Sequence, residues 1–243
     1  YEGSANGASG PNYLRVVPVG SWVHVFVNYT SDATLYFDSF HQDDTYFQSV
    51  GRTASVAGAA DFFDVCKINE SLYLVVYQDN GAVDLIGNYY NANGTQNTTY
   101  VSSINFNIGA PPGLVSFGVD VHPTTGEIGL IWNTTTPEQQ MRIYDVFGVP
   151  RQAVITLAAA ANCSKVAIVA SYLTGVPETG WFFCYYDNAL STNRYIDVKT
   201  CTAASAGYLD YSKRYSVNLV SKPFRVGNVP FCFAAFPSDF QTT

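Results

Sequence analysis

Charged side chains are scarce in this sequence of 243 residues. Lys, Arg, Asp and Glu together make up 13% of the chain, whereas hydrophobic residues make up 47% and aromatic residues 15%. A disordered chain has the opposite balance, with low hydrophobicity and a high net charge. The composition therefore predicts a folded protein, and the length allows it to bury a large core.

Basic residues are fewer than acidic ones. The chain has 12 Lys and Arg against 19 Asp and Glu, which gives a net charge of −7. Proteins hold the phosphates of nucleic acids with clustered Lys and Arg, and the sequence contains no such cluster. We therefore expect no nucleic acid partner.

Uninterrupted apolar runs are short. The longest apolar stretch, Ala153 to Gly175, is broken at its centre by Asn162-Cys163-Ser164-Lys165. A membrane-spanning helix needs about 20 consecutive apolar residues. We therefore predict that this stretch lies in the core and that the chain has no membrane span.

Motifs for catalysis and metal binding are lacking. The five cysteines form no Cys-x-x-Cys pair, and the three histidines belong to none of the common zinc-protease patterns. Serine-hydrolase and phosphate-loop motifs are also missing. We therefore predict no catalytic residue, no metal site and no cofactor. His24 alternates with apolar residues, which favours a structural role.

Two cysteines lie on either side of a predicted hairpin. Cys184 and Cys201 flank a turn near Asn188 to Asn193. In an oxidising compartment we expect one or two disulfides, and this pair is the candidate for a cross-strand bond.

Sites for N-glycosylation exceed the number expected by chance. The Asn, Ser and Thr content predicts roughly three Asn-x-Ser/Thr sites, and the chain has twice as many. This excess predicts a secreted or cell-surface glycoprotein with glycans on surface loops. The six sites are Asn28, Asn69, Asn93, Asn97, Asn133 and Asn162.

One pair of strands recurs along the chain. A valine-rich strand that ends in a polar residue is followed, after a turn, by an aromatic strand. The two strands of each pair are predicted to begin at Trp22 and Leu35, Leu72 and Asp84, Ile128 and Met141, Val166 and Trp181, and Tyr215 and Val229. The last aromatic residues of the five copies are Phe40, Tyr90, Phe147, Tyr186 and Phe236. An inner strand is predicted before each pair, and an outer strand is predicted after most of the pairs.

This period of about 40 to 50 residues, with several strands in each copy, resembles that of β-propeller repeat proteins. The resemblance implies an all-β, five-bladed β-propeller-like domain, and the alternative is a large β-sandwich or jelly roll. We place a Gly/Ser/Asn-rich N-terminal arm at residues 1–12 and a single β-repeat domain of about five copies at residues 13–243. WD, kelch and Asp-box signatures do not occur.

Three aspartates fall on predicted inner strands. Asp64 and Asp120 each precede the first apolar residue of the next strand by eight positions, and Asp210 is shifted by about three. The architecture is similar to that of five-bladed glycosidases, which implies that inner carboxylates meet in a central channel. Leu14 and Leu157 stand at this position in two copies, and no Glu does. We therefore expect aspartates that bind neighbouring backbone amides, and we keep a glycosidase as the second alternative.

The glycosylation sites fall on turns at both ends of the predicted blades. By repeat alignment, Asn69 and Asn93 lie at one end, and Asn28 and Asn133 lie at the other. Glycans on both faces favour a non-enzymatic structural protein, such as a subunit of an extracellular coat, matrix or filament. The last copy lacks an outer strand, and an open edge favours self-association with other copies. The first alternative is a carbohydrate-binding or adhesion module that uses its aromatic residues as sugar-stacking platforms.

Overall fold

Antiparallel β-strands make up the computed structural model, and the described residues contain no helix. The structure describes the chain over residues 11–29, 35–42, 49–56, 59–79, 84–108, 114–134, 138–159, 163–171, 180–187, 195–202, 208–216 and four short segments between 219 and 235. Within these residues, no helix is long and apolar enough to cross a membrane. The chain divides into two compact units, Tyr1–Ala110 and Pro111–Thr243.

The strands are β1 (Pro11–Val19), β2 (Trp22–Tyr29), β3 (Leu35–His41), β4 (Ser49–Val56), β5 (Ala59–Asn69), β6 (Leu72–Asp79), β7 (Leu85–Asn91), β8 (Ile104–Asn105), β9 (Leu114–Val121), β10 (Ile128–Thr134), β11 (Glu138–Tyr144), β12 (Ile155–Ala159), β13 (Cys163–Ser171), β14 (Gly180–Asp187), β15 (Tyr195–Thr202), β16 (Tyr208–Ser216), β17 (Leu219–Val220), β18 (Phe224–Val226), β19 (Val229–Phe231) and β20 (Ala234–Ala235).

The first unit contains two four-stranded meanders, β1 to β4 and β5 to β8. Strand β1 lies beside β5, so the two sheets share a core. Alternation along β3 places Leu35 and Phe37 in this core, with half-buried residues between them. Aromatic rings from β2, β3 and β6 meet there, and the Phe26 ring lies 5.2 Å from Phe37 and 5.9 Å from Tyr73.

The second unit contains the third sheet, β9 to β12, and the fourth sheet, β13 to β16. Strand β13 packs against β9 and β10. Trp181 of β14 is fully buried and lies on Gly129 of β10, where a Cβ atom would come within 2.5 Å of the indole ring. Two short ladders, β17 with β20 and β18 with β19, complete the described strands.

Each four-stranded meander has the arrangement of a propeller blade, so the predicted all-β, propeller-like fold is confirmed. The described residues form four complete meanders, and the fifth copy corresponds to β16 and the two short ladders. The single domain over residues 13–243 stays a prediction. The predicted arm overlaps β1, because β1 begins at Pro11.

The strands of the fourth copy are shifted by one position relative to the prediction. The sequence pattern places Val166 to Ser171 on a second strand, but these residues belong to β13, the first strand of the fourth sheet. Leu157 and Asp210 consequently lie on β12 and β16, the last strands of their sheets, and not on inner strands. The pattern identifies two consecutive hydrophobic strands. These are the second and third strands in the first sheets, but the first and second strands in the fourth sheet.

The register of β14 and β15 separates the two cysteines predicted to pair. Cys184 lies opposite Val198, and Cys201 lies opposite Trp181. Three residues of strand correspond to about 10 Å, whereas bridged cysteines have Cα atoms within about 7 Å. The structure therefore does not favour this disulfide, because flanking one hairpin does not place two residues opposite each other.

Candidate functional site

The inner aspartates hold neighbouring sheets together. Asp64 is buried, and its Oδ1 accepts hydrogen bonds from Arg15 Nε of β1 (2.9 Å) and from the backbone N–H of Val65 (3.0 Å). Asp120 Oδ2 accepts the backbone N–H of Ala170 on β13 (2.8 Å). These contacts agree with the expectation that inner aspartates bind backbone amides. The side chain of Asp210 lies outside the described part of the chain.

Asp64 and Asp120 are not at equivalent positions in their sheets. Asp64 lies opposite Val76, the fifth residue of β6, whereas Asp120 lies opposite Gly129, the second residue of β10. Equal spacing in the sequence misleads here because the loop between β9 and β10 is longer than the turn between β5 and β6.

His24 connects the two sheets of the first unit. The side chain is fully buried, and its Nε2 lies 2.8 Å from the carbonyl oxygen of Ala92, which is an acceptor only. Nε2 therefore carries the proton, and Nδ1 accepts the hydroxyl of Ser39 at 2.8 Å. Burial lowers the pKa of His24, against a smaller opposing effect of the Ala92 carbonyl. The structural role predicted for His24 agrees with this environment.

The predicted glycosylation sites occupy different environments. Asn28 and Asn133 are each 1% exposed, whereas Asn69 and Asn93 are exposed and Asn97 is half-buried. Asn162 lies outside the described residues.

Two loops at one end of the third sheet form the candidate site. Residues 122–127 connect β9 to β10, and residues 145–154 connect β11 to β12. They meet where Arg151 Nε lies 3.7 Å from Glu127 Oε1. We call the exposed surface of these two loops the loop platform.

Asp145 holds the longer loop in a fixed shape. Its Oδ1 accepts the backbone N–H groups of Phe147 (2.9 Å) and Val149 (2.8 Å), and its own N–H donates to the Val149 carbonyl. Gly148 has a φ of 83°, a left-handed conformation that glycine adopts without steric cost. This loop therefore has a defined backbone although it is at the surface.

His122 organises the shorter loop. It is fully buried, and its Nδ1 accepts the backbone N–H groups of Thr124 and Thr125, both at 3.2 Å. The hydroxyl of Thr125 donates to Glu127 Oε2 at 3.2 Å and so orients the carboxylate. His122 is buried and shapes the loop from below, whereas the carboxylate of Glu127 is partly exposed at the surface.

The loop platform combines apolar and charged groups. Phe147 is 58% exposed and Val149 56%, and Val154 of the same loop is also exposed. The side chain of Arg151 is 54% exposed, while that of Glu127 is 15% exposed. An aromatic ring, a hydrogen-bond donor and an acceptor carried by the same two loops suit a ligand with one apolar face and a hydroxylated edge. No group of three potential metal ligands occurs among the residues that the structure describes.

No protein-family model and no curated protein matches this sequence. Solved structures share its fold, at low identity. The α-L-arabinofuranosidase PaAbf62A from Podospora anserina, in complex with cellotriose, is 12% identical with a TM-score of 0.53, over 86% of this chain and 69% of that one. The GH62 arabinofuranosidase catalytic domain from Coprinopsis cinerea is 13% identical with a TM-score of 0.55, over 86% and 70%. The SapL1 lectin, in complex with α-methyl fucoside, is 11% identical with a TM-score of 0.57, over 91% and 72%.

These comparisons correct the main functional prediction from the sequence. The coat, matrix or filament subunit is overturned, because the similar structures are glycoside hydrolases and a lectin. At 11 to 13% identity these structures show the fold alone, and they agree better with the first alternative, a carbohydrate-binding or adhesion module, than with a structural subunit. The resemblance to a β-propeller repeat family is not confirmed by any family model.

Sequence reasoning missed the site because it placed Phe147 at the end of an aromatic strand. Strand β11 ends at Tyr144, and Phe147 lies in the following loop. The signal was present, since Asp145, Gly148 and Pro150 are turn-forming residues around this phenylalanine. An aromatic residue among turn formers indicates surface exposure.

Proposed function

We propose that this protein binds carbohydrate and that the loop platform is its binding site. The observation that carries the proposal is Phe147, which is 58% exposed on a loop whose backbone Asp145 holds. Burying a large apolar ring favours binding, and a preformed loop loses little conformational entropy on binding. The carbohydrate complexes among the similar structures support this ligand class.

The charged pair supplies both kinds of hydrogen-bonding group. A sugar hydroxyl both donates and accepts, so it pairs with a guanidinium and with a carboxylate. Arg151 Nε and Glu127 Oε1 are 3.7 Å apart, beyond hydrogen-bond distance, so Arg151 can donate to a bridging ligand hydroxyl and Glu127 can accept from it. A sugar with adjacent hydroxyls fits this pair, since its hydroxyls can accept from Arg151 and donate to Glu127.

Glycoside hydrolysis is the second candidate, because two of the similar structures are arabinofuranosidases. Hydrolysis needs two carboxyl groups about 5 to 9.5 Å apart, one of them able to donate a proton. Asp64, Asp120 and Asp145 are already engaged with Arg15 or with backbone amides. Glu127 lies beside Arg151 and accepts the hydroxyl of Thr125. These contacts favour binding over hydrolysis.

We further propose that the protein is secreted or displayed at the cell surface. The exposed N-glycosylation motifs at Asn69 and Asn93 support this compartment, and so does the proposed carbohydrate-binding function.

A glycan array followed by calorimetric titration of the best ligand tests the binding proposal. We expect Phe147→Ala to weaken binding about tenfold, because ring stacking contributes about 1.5 kcal/mol. Tyr100→Ala is the matched control, since Tyr100 is also an exposed aromatic residue (45%) but lies in the first unit. Equal affinities of wild type and Phe147→Ala would disprove the site, and an array without any bound glycan would disprove the function.

Incubation of the bound oligosaccharide with the protein distinguishes the two candidates. A binding protein returns the ligand intact, as judged by mass spectrometry. Cleavage that Glu127→Gln abolishes would replace the binding proposal with a hydrolase.

A further inference from the structure

Two of the glycosylation motifs have the same local structure. Asn69 Oδ1 accepts the backbone N–H (2.8 Å) and the hydroxyl (2.9 Å) of Ser71, the last residue of its motif. Asn93 Oδ1 accepts the same two groups from Thr95, at 3.1 Å and 2.8 Å. Both asparagines are exposed. The motif hydroxyl therefore binds the amide oxygen, and Nδ2, the atom that takes the sugar, is not used by these bonds.

The other described motifs differ in burial. Asn28 and Asn133 are each 1% exposed, and Asn133 Oδ1 accepts the hydroxyl of Ser116 on the neighbouring strand (2.7 Å). A branched oligosaccharide on either side chain would have to lie in the packed interior of the protein. A chain modified at either position would therefore not reach this fold. Asn97 is half-buried, and its Nδ2 donates to Asn91 Oδ1 at 2.8 Å.

We propose that the folded protein carries N-linked glycans at Asn69 and Asn93, and none at Asn28, Asn97 or Asn133. In the modification, Nδ2 forms a bond to the anomeric carbon of an oligosaccharide supplied by a lipid diphosphate donor. The bond from that carbon to the diphosphate breaks, the diphosphate leaves, and Nδ2 loses one proton to solvent. No redox step is involved.

The two modified turns are neighbours. The backbone N–H of Ala92, next to Asn93, donates to the carbonyl oxygen of Ser71 at 2.8 Å. The two glycans consequently leave the same end of the second sheet. The loop platform contains no glycosylation motif, which is compatible with ligand binding there.

Site mapping on the full chain tests the proposal. The protein is secreted from insect cells, digested, and treated with peptide N-glycosidase in heavy-oxygen water, which converts each glycosylated Asn to labelled Asp. We expect label at Asn69 and Asn93 alone among the five described sites. Label at Asn28, Asn97 or Asn133, or unlabelled Asn69 or Asn93, would overturn the proposal.

Motif variants provide matched controls in the intact protein. Ser71→Ala and Thr95→Ala should each remove one glycan mass, and Ser71→Thr and Thr95→Ser should retain it. Thr30→Ala and Thr135→Ala destroy the motifs of Asn28 and Asn133 without changing the asparagines, and the mass of the glycans should not change. A loss of glycan mass in either control would contradict the proposal.

Discussion

At position 129 a hydrogen atom stands where other residues have a side chain, because the ring of Trp181 lies against the backbone. We expect Gly129→Ala to destabilise the protein by about 1 to 3 kcal/mol, since a Cβ would come within 2.5 Å of this buried ring. Urea denaturation measures the change in the free energy of unfolding.

A double-mutant cycle identifies the cause of this effect. Trp181→Leu removes the ring, so the added methyl group should cost less in that background than in the wild type. Equal costs in the two backgrounds would show that the backbone of β10, and not the indole ring, excludes a side chain at position 129.

The burial of individual residues was the least predictable property. The alternation around His24 is visible in the sequence, and the residue is buried as this pattern implies. Asn28 and Asn133 also stand in strand patterns, but their glycosylation motifs suggested surface positions. A three-residue motif contains no information on which face of a strand its asparagine occupies.

The loop from Asp145 to Val154 is the element on which the proposed binding depends. We expect Asp145→Ala to raise the hydrogen exchange rates of the Phe147 and Val149 amides, because both lose their acceptor. Ligand affinity should fall severalfold, since the ring then has to be ordered on binding.

Asp145→Asn is the control for this loop, because an asparagine keeps the Oδ1 acceptor. Its exchange rates and affinity should remain close to those of the wild type. If Asp145→Ala exchanged as slowly as Asp145→Asn, other bonds would be holding the loop.

Most strands could be predicted, while their membership in sheets could not. The second and third strands of the first two sheets begin within one residue of the positions expected from hydrophobic alternation. The same pattern misplaced β13, since a buried first strand reads like a buried second strand. Pairing partners are set by loop lengths and long-range contacts, which short patterns do not encode.

For the molecule as a whole, acid should reduce stability through His24. Burial lowers the pKa of its folded form below the ordinary value of 6.5, which the unfolded chain retains. Below about pH 6.5 the unfolded chain therefore binds a proton that the folded chain does not, and stability decreases as the pH falls. Urea denaturation between pH 5.5 and 7.5 measures this decrease.

His24→Gln is the comparison for this titration, because Gln has no titrating group. The variant should be less stable at pH 7.5 but should show a weaker dependence on pH. A pH dependence as steep as that of the wild type would show that His24 is not its source.

The functional prediction for the whole chain failed for an identifiable physical reason. It required glycans at both ends of the blades, and Asn28 and Asn133 were the sites at one end. Both side chains are buried, so no glycans are expected at that end of the blades, and the argument for a structural subunit covered by glycans on both faces fails. The predicted self-association stays a prediction.

The bonds that join neighbouring sheets also bear on synthesis at the ribosome. Arg15 and Asp64 are 49 residues apart, and Asp120 and Ala170 are 50 residues apart, which is about one sheet of chain in each case. Synthesis adds about 5 to 20 residues per second, so several seconds pass between the emergence of one of these polar groups and the emergence of its partner on the next sheet. During that interval the emerging chain exposes one apolar sheet face, which is when chaperones would be needed most.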